Sequence, residues 1–327
     1  MSKLMLVTGA GGFIGSHVTE ALLAAGHQVR ALVPYRGSGA AGWLDHLPRP
    51  AELEVFRADI RDRGRVEAAM QGVDTVFHLA ALITIPYSYL APESYLDTNV
   101  RGTLNVLEAA RRLETSRVLI TSTSEVYGTA QYVPMDEQHP LSAQSPYAAS
   151  KIAADQLALS FHASYGVPVT LVRPFNAYGP RQSPRALIPS LIRQLLAQPE
   201  AIHLGNTRPT RDFTYVTDTA AAFLAIAAEP ATIGQTLHVA SGLEISVGEL
   251  AQRLIDRLHP PARIEIETRR QRPSQSEVMR LLGSSAQLQA LCGWQSKVSL
   301  AEGLDRTIAW MQNPAHRAVF GADRYLP

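Results

Sequence analysis

Only one cysteine, Cys292, occurs in the 327 residues, which rules out an internal disulfide and a cysteine-built metal cage and suits a reducing compartment. Long apolar runs are missing as well, for no stretch approaches the ~18 residues of a membrane span. The opening Leu4-Met5-Leu6-Val7 is too short for a secretory h-region and passes straight into glycines, so a cytoplasmic location is expected. Nor is there an excess of one charge. With 46% hydrophobic residues, 18% charged residues and a formal net charge of +1, the chain presents no field for nucleic acid or an anionic membrane, and basic residues must act locally. The ten histidines include no H-E-x-x-H pair, which disfavours a metal site, and no G-x-S-x-G nucleophile elbow occurs. Cys292 reads as a buried hydrophobe.

What is present is an alternation. Apolar runs over residues 4–7, 28–33, 53–56, 74–79, 117–121 and 167–172 read as strands, and residues 16–25, 62–70 and roughly 92–112 as helices. Such βαβ units with right-handed crossovers predict the α/β class and a doubly wound parallel sheet of Rossmann type. Beyond Pro174 the rhythm changes: prolines recur at 180, 184 and 189, and helices are expected over 186–197 and 218–228. The length favours a dinucleotide-binding lobe over 1–173 and a smaller C-terminal substrate lobe over 174–327, with some segments returning to the main sheet. There is no internal repeat, and the notable charge run is Arg269-Arg270-Gln271-Arg272.

Thr8-Gly9-Ala10-Gly11-Gly12-Phe13-Ile14-Gly15 sets glycines between the first strand and the first helix. Glycine permits the tight turn and lets backbone approach a pyrophosphate, while the helix N-terminus supplies N–H donors. NAD or NADP is therefore the expected cofactor. An acid often ends the second strand to hold the adenosine ribose, but here that end reads Val33-Pro34-Tyr35-Arg36. Arg36 in place of a carboxylate makes a 2′-phosphate tolerable, unless it is a plain solvated loop residue. Asp59-Ile60 follows the third strand; Asp59 either borders the adenine or caps the next helix.

Tyr147 and Lys151 are four apart behind Ser145-Pro146, so one helical turn puts both on the same face, with proline suited to the first turn. A lysine ammonium beside a phenol is expected to lower its pKa from about 10 towards neutrality, as a base removing an alcohol proton requires. Thr121-Ser122-Thr123-Ser124-Glu125 comes just after the fifth strand, where strand ends face the ligand crevice. A carboxylate there can remove a proton from carbon beside a carbonyl; the alternative is that Glu125 only caps or salt-bridges.

These motifs, with Arg173-Pro174-Phe175-Asn176-x-Tyr178-Gly179-Pro180 and Arg211-Asp212-Phe213-Thr214-Tyr215-Val216-x-Asp218, stand in the order found in extended short-chain dehydrogenases acting on nucleotide sugars. The chain resembles that family over most of its length. Ser122-Thr123-Ser124-Glu125 is similar to sugar 4,6-dehydratases, including GDP-mannose 4,6-dehydratase, whose Arg-Pro-x-Glu-Val is echoed by Arg272-Pro273-Ser274-Gln275-Ser276-Glu277-Val278. Residues 42–47, 80–89 and 128–134 most resemble bacterial UDP- or GDP-N-acetylglucosamine 4,6-dehydratases of the legionaminic-acid type.

The resemblance implies that Tyr147, helped by Lys151 and Thr123, deprotonates the C4 hydroxyl as hydride leaves C4. Glu125 then takes the C5 proton, water leaves from C6 and the hydride returns there as C5 is reprotonated, so that a tightly bound NAD or NADP is regenerated each cycle. It implies cofactor contacts from Gly9, Gly11, Gly12, Phe13, Ile14, Gly15, Arg36, Asp59, Ile60, Leu79, Ala80, Ala81, Asn99, Thr121, Tyr147 and Lys151, with a bracing or purely structural role for Asn99. Substrate contacts are implied from Thr84, Ser88, Thr123, Asn176, Arg181, Arg211, Arg272 and Glu277, and a homodimer is expected. The dTDP-glucose dehydratases carry Asp where this chain has Ser124, so either Glu125 does both proton transfers or Ser124 relays one. They carry Ser-His at Ile83-Thr84, which points to a more apolar or acetamido-bearing sugar on a UDP or GDP carrier. A 4-epimerase, which shares Tyr147, Lys151 and the glycines but has no need of Glu125, is the alternative. A non-catalytic regulator would have no reason to keep those three side chains together.

Overall fold

Runs of four to six residues, too short for buried helices and mostly apolar on both faces, pair in parallel register in the computed structural model, which describes residues 3–48 and 50–317. In chain order the strands are β1 (Leu4–Thr8), β2 (Gln28–Val33), β3 (Leu53–Arg57), β4 (Thr75–His78), β5 (Arg117–Thr121), β6 (Val169–Pro174), β7 (Asn176–Tyr178), β8 (Ala201–Leu204), β9 (Thr210–Tyr215), β10 (Thr236–Val239), β11 (Glu244–Ser246) and β12 (Arg263–Ile266). The helices used below are α1 (Phe13–Ala24), α2 (Arg63–Met70), α3 (Ile85–Leu90), α4 (Pro92–Tyr95), α5 (Gly102–Arg112), α6 (Pro146–Tyr165), α7 (Leu187–Leu196), α8 (Val216–Ala228), α9 (Val247–Leu258), α10 (Ala286–Cys292) and α11 (Leu300–Gln312).

The main sheet has seven strands in the order β10-β6-β5-β4-β1-β2-β3, with every pairing parallel. Strand order reverses between β1 and β4, and such a switch point opens a crevice at the strands' C-terminal ends. Alternation along β1 sends Met5 and Val7 to one layer with α1 and α8, and Leu6 to the other with α2, α5 and α6. The sheet is therefore doubly wound.

Three local features depart from the expected elements. Helix α1 starts at Phe13 rather than residue 16, because extended Gly12 already serves as its N-cap; no side chain caps it and no acid lies in its first turn. The stretch from 92 to 112 is not one regular helix, for Leu96–Arg101 forms a wide π-helical stretch between α4 and α5. Its altered phase turns the Asn99 amide inward, where Oδ1 accepts from the Leu82 N–H at 2.8 Å and Nδ2 donates to Leu82 O and Ser150 Oγ, both at 2.9 Å. Cys292 is only partly buried, at the edge of the α10 packing.

The second half of the chain divides its residues between two layers. Helix α8 lies on α1, β10 extends the main sheet beyond β6, and α10 with Trp294 covers that corner. The remaining strands form a three-stranded β11-β9-β7 sheet and a β12-β8 pair. Leu191 and Ile192 of α7, Leu250 and Leu254 of α9, and Leu304 and Ile308 of α11 fill the core beside them. Among the described residues no helix is long and apolar enough to cross a membrane.

Asn99→Ala removes three hydrogen bonds and strands the Leu82 amide; a loss of about 2 kcal/mol is expected, read as a lower urea midpoint with unchanged slope.

Candidate active site

Close approach builds the glycine turn. Gly9 takes φ +70°, and a Cβ there would meet the Ala80 nitrogen at 2.9 Å. A Cβ on Gly11 would lie 2.2 Å from the Ala41 carbonyl oxygen, and one on Gly15 2.2 Å from that of Gly9. Thr8 ties the two strands at the switch point: its Oγ1 accepts from the Leu79 and Ala80 N–H groups, both at 3.1 Å, and pairs with His78 Nδ1 at 2.8 Å. Burial pushes the His78 pKa down to about 3, so this ring is neutral scaffolding. A cradle that any side chain would fill, opening on the uncapped N–H groups of α1, fits a dinucleotide pyrophosphate.

A continuous cleft runs from this turn across the sheet edge to β8, β9 and the start of α9. Gly9, Gly11, Gly12, Phe13, Ile14, Gly15, Arg36, Asp59, Ile60, Leu79, Ala80, Ala81 and Thr121 all line its first half. The Asp59 carboxylate receives Arg61 Nε at 2.9 Å and Nη2 at 2.6 Å, and these bonds hold it below the usual carboxylate range. It does not cap α2, because Asp62 takes that place by accepting from the Arg65 N–H. The Arg36 guanidinium makes no ion pair among the described residues.

Beyond the turn, Thr123, Glu125, Tyr147 and Lys151 open into the same cleft. Helix α6 brings the last two there. It starts at Ser145, whose Oγ accepts from Ala148 N–H at 3.1 Å, and ends at left-handed Gly166. Lys151 Nζ donates to the Thr121 carbonyl at 2.6 Å, which docks the helix on the end of β5. The Tyr147 ring packs edge-on against Tyr95 at 6.2 Å. Burial raises the Tyr147 pKa, a hydrogen bond with Thr123 opposes this, and the Glu125 charge adds to the rise. Burial lowers the pKa of Lys151 while Asp155 supports its charge. The expected lowering of the phenol by Lys151 is thus not delivered by the chain alone: desolvation raises the phenol and the ammonium is committed to Thr121.

Three expected residues miss the cleft, and each is corrected by its geometry. Ser124 is 3% exposed: Thr123 caps a short 3-10 turn from Ser124 to Tyr127, and that turn lifts Glu125 into the cleft while Ser124 faces the interior. Ser88 is fully buried, with its hydroxyl donating to Ile85 O at 2.7 Å. Asn99 braces the Leu82 backbone and the α6 hydroxyl of Ser150 and does not line the cleft.

Asn176, Arg181, Arg211, Arg272, Glu277 and Thr84 line the far half. Arg181 is already engaged, donating to Glu20 at 2.5 Å and facing His17 Nδ1 at 3.1 Å on α1. That makes it a tie between α1 and the segment that follows β7. Arg211 and Arg272 hold looser positions: Glu277 Oε1 lies 3.8 Å from Arg211 Nη2 and 4.0 Å from Arg272 Nη1, and Glu125 Oε2 lies 4.0 Å from that same Nη1. Arg272 Nη1 and Asn176 Oδ1 are buried without a hydrogen-bond partner, an arrangement that favours a polar or anionic guest. Lining residues that no motif announced include Leu204, Asn206 and Val247. They come from the end of β8, the turn after it and the start of α9. Among the described residues no group of three or more His, Cys, Asp or Glu side chains is placed to hold a metal ion.

A doubly wound sheet with a glycine cradle at its switch point and a Tyr-x-x-x-Lys helix on the adjoining strand end defines an extended short-chain dehydrogenase. More narrowly, the chain belongs to the GDP-mannose 4,6-dehydratase family, which it matches over residues 6–307. It is 34% identical to a dTDP-glucose 4,6-dehydratase of Actinoplanes sp., covering 94% of this chain and 97% of that one. A UDP-glucose 4-epimerase of Mycolicibacterium smegmatis is 33% identical over 94% of this chain and 98% of its own. The crystal structure of a dTDP-glucose 4,6-dehydratase from Streptomyces venezuelae with NAD bound superposes with a TM-score of 0.87 at 31% identity, over 95% and 97% of the two chains.

Gly15→Ala forces the α1 backbone off Gly9; a loss of about 1–3 kcal/mol is expected, with a lower melting temperature and little nicotinamide retained on purification. For Arg36→Ala, affinity for NADP should drop about tenfold or more through loss of a charge-assisted bond, with NAD binding within about twofold of the parent by calorimetry.

Proposed function

We propose that this protein is a nucleotide-sugar 4,6-dehydratase that converts a UDP- or GDP-linked, N-acetylglucosamine-like hexose to its 4-keto-6-deoxy form. One observation carries the reading: the Glu125 carboxylate opens into the cleft within electrostatic reach of the Tyr147 phenol. Oxidation at C4 needs Tyr147 alone, and a neighbouring carboxylate has work to do only if a C5 proton must be moved. NAD or NADP held by the glycine cradle of Gly9, Gly12 and Gly15 would supply the hydride acceptor for C4 and the hydride donor for C6.

The chain's own residues divide the remaining work. Tyr147 accepts the C4 hydroxyl proton, with Thr123 as hydrogen-bond partner and Lys151 anchoring α6. The resulting ketone acidifies C5–H, which Glu125 removes. Because Ser124 faces inward, Glu125 also delivers the proton with which the C6 oxygen leaves as water; C5 then takes a proton from solvent as C6 is reduced, and Tyr147 releases the C4 hydroxyl proton. Arg272 and Arg211 sit where guanidinium forks can take the diphosphate, with Asn176 beside them. Ile83, 63% exposed at the cleft, gives an acetamido methyl an apolar wall. The proposed enzyme works as a homodimer in the cytoplasm.

A 4-epimerase reading draws on the relative at 33% identity and on the same Tyr147 and Lys151. Turnover in deuterated water separates the two, because dehydration places deuterium at C5 and epimerisation does not. The substrate is sought among UDP- and GDP-linked N-acetylglucosamine, mannose and glucose by loss of water in mass spectra. Glu125→Gln should reduce bound nicotinamide at near-parental rate yet slow water loss by about 100-fold or more, whereas Tyr147→Phe should abolish the first reduction. Full dehydration by the glutamine variant would remove the basis of the assignment.

A further inference from the structure

Directly behind the catalytic groups lies a buried polar chain that touches neither cofactor nor substrate in the mechanism above. Asp155 stands one turn beyond Lys151 on α6 and is fully buried. Its Oδ2 accepts from Ser122 Oγ at 2.7 Å, from Arg173 Nη2 at 2.9 Å and from Arg173 Nε at 3.2 Å. Arg173, on β6, turns its other nitrogen, Nη1, to the Tyr127 hydroxyl at 2.7 Å. That hydroxyl in turn meets His238 Nε2 of β10 at 2.5 Å. The Arg173 and Asp155 side chains are 4% and 0% exposed, and Tyr127 is also fully buried.

The two ends of this chain carry the two catalytic groups. Asp155 belongs to the helix of Tyr147 and Lys151, and through Ser122 it grips the strand end whose neighbouring carbonyl, Thr121 O, receives Lys151. Tyr127 closes the short turn that presents Glu125. A buried ion pair adds little net stability compared with apolar packing, since desolvation offsets its attraction; its well-attested contribution is to register. Here one guanidinium forks between the phenol's helix and the carboxylate's turn.

We propose that Arg173 is a positioning residue which, through Asp155 on one side and Tyr127 on the other, sets the separation between Tyr147 and Glu125 and so couples C4 oxidation to removal of the C5 proton. This rests on the dehydratase reading above. Loss of the Tyr127 arm leaves Tyr147 on its helix, still anchored by Lys151 to Thr121, but frees the turn that carries Glu125. Oxidation and elimination then respond differently, which a purely structural role would not produce.

The test is single turnover of Tyr127→Phe against the parent, with UDP-N-acetylglucosamine or whichever sugar of the panel the parent dehydrates. Reduced-nicotinamide absorbance reads oxidation, and quenched mass spectra read water loss. Expected is oxidation within about threefold of the parent and elimination slowed by tenfold or more. Equal slowing of both steps, or no slowing of elimination, overturns the inference. Arg173→Lys keeps a cation beside Asp155 without the fork and should give the same split; it decides the matter should the phenylalanine variant purify without bound nicotinamide. If the parent dehydrates nothing in the panel, the dehydratase reading and this inference fall together; if it does and both variants keep the two steps in the parent's ratio, only the inference falls.

Discussion

The 2.6 Å bond from the Lys151 ammonium to the Thr121 carbonyl joins the end of β5 to a helix that follows it by some two dozen residues. Lys151 is 4% exposed, and a buried ammonium is tolerated only where acceptors and opposite charge surround it. The bond therefore fixes where α6 can lie, and with it the Tyr147 ring one turn earlier. From that docking the rest of the centre follows: Thr123 reaches the phenol, Tyr95 packs against the ring edge, and Glu125 enters the same pocket from the other side.

Electrostatically the cleft is a graded arrangement. At the glycine end the positive element is the uncapped N-terminus of α1, made of backbone dipoles and no side-chain charge. At the far end it is a pair of guanidiniums, Arg211 and Arg272, held near 4 Å from Glu277 and Glu125 with few completed hydrogen bonds. Loosely met charges at the edge of a cleft favour a guest able to complete their hydrogen bonds. The centre between has a buried phenol raised by desolvation and by Glu125, so the chain alone holds the proton that the chemistry has to move.

How much could be read from residues alone differs from part to part. The strands of the first half were legible because period and composition decide them locally, and the glycine turn because its spacing has few other uses. The π-helical stretch over Leu96–Arg101 was not, since its residues carry the same pattern as an ordinary helix and its altered phase shows only where Asn99 meets Leu82. Ser124 and Glu125 are neighbours that could each serve as a proton carrier, and the choice of which faces inward is made by the turn that Thr123 caps. Arg181 and Arg211 are alike as arginines; one is claimed by Glu20 and His17 of α1 and the other is left facing the cleft.

The sequence by itself determined the alternation that makes a doubly wound sheet, the cradle at its switch point and the pairing of Tyr147 with Lys151, because each depends on spacing along one or two elements. Tertiary structure alone decided that β10 returns to the sheet beside β6, that Ser88, Asn99 and Ser124 stay out of the cleft, and that Arg173 spans Asp155 and Tyr127. The physical reason is one of range. Dihedral preference and hydrophobic period act over a few residues, whereas burial and hydrogen-bond satisfaction are settled by partners a hundred residues away, which exist only after the layers have packed.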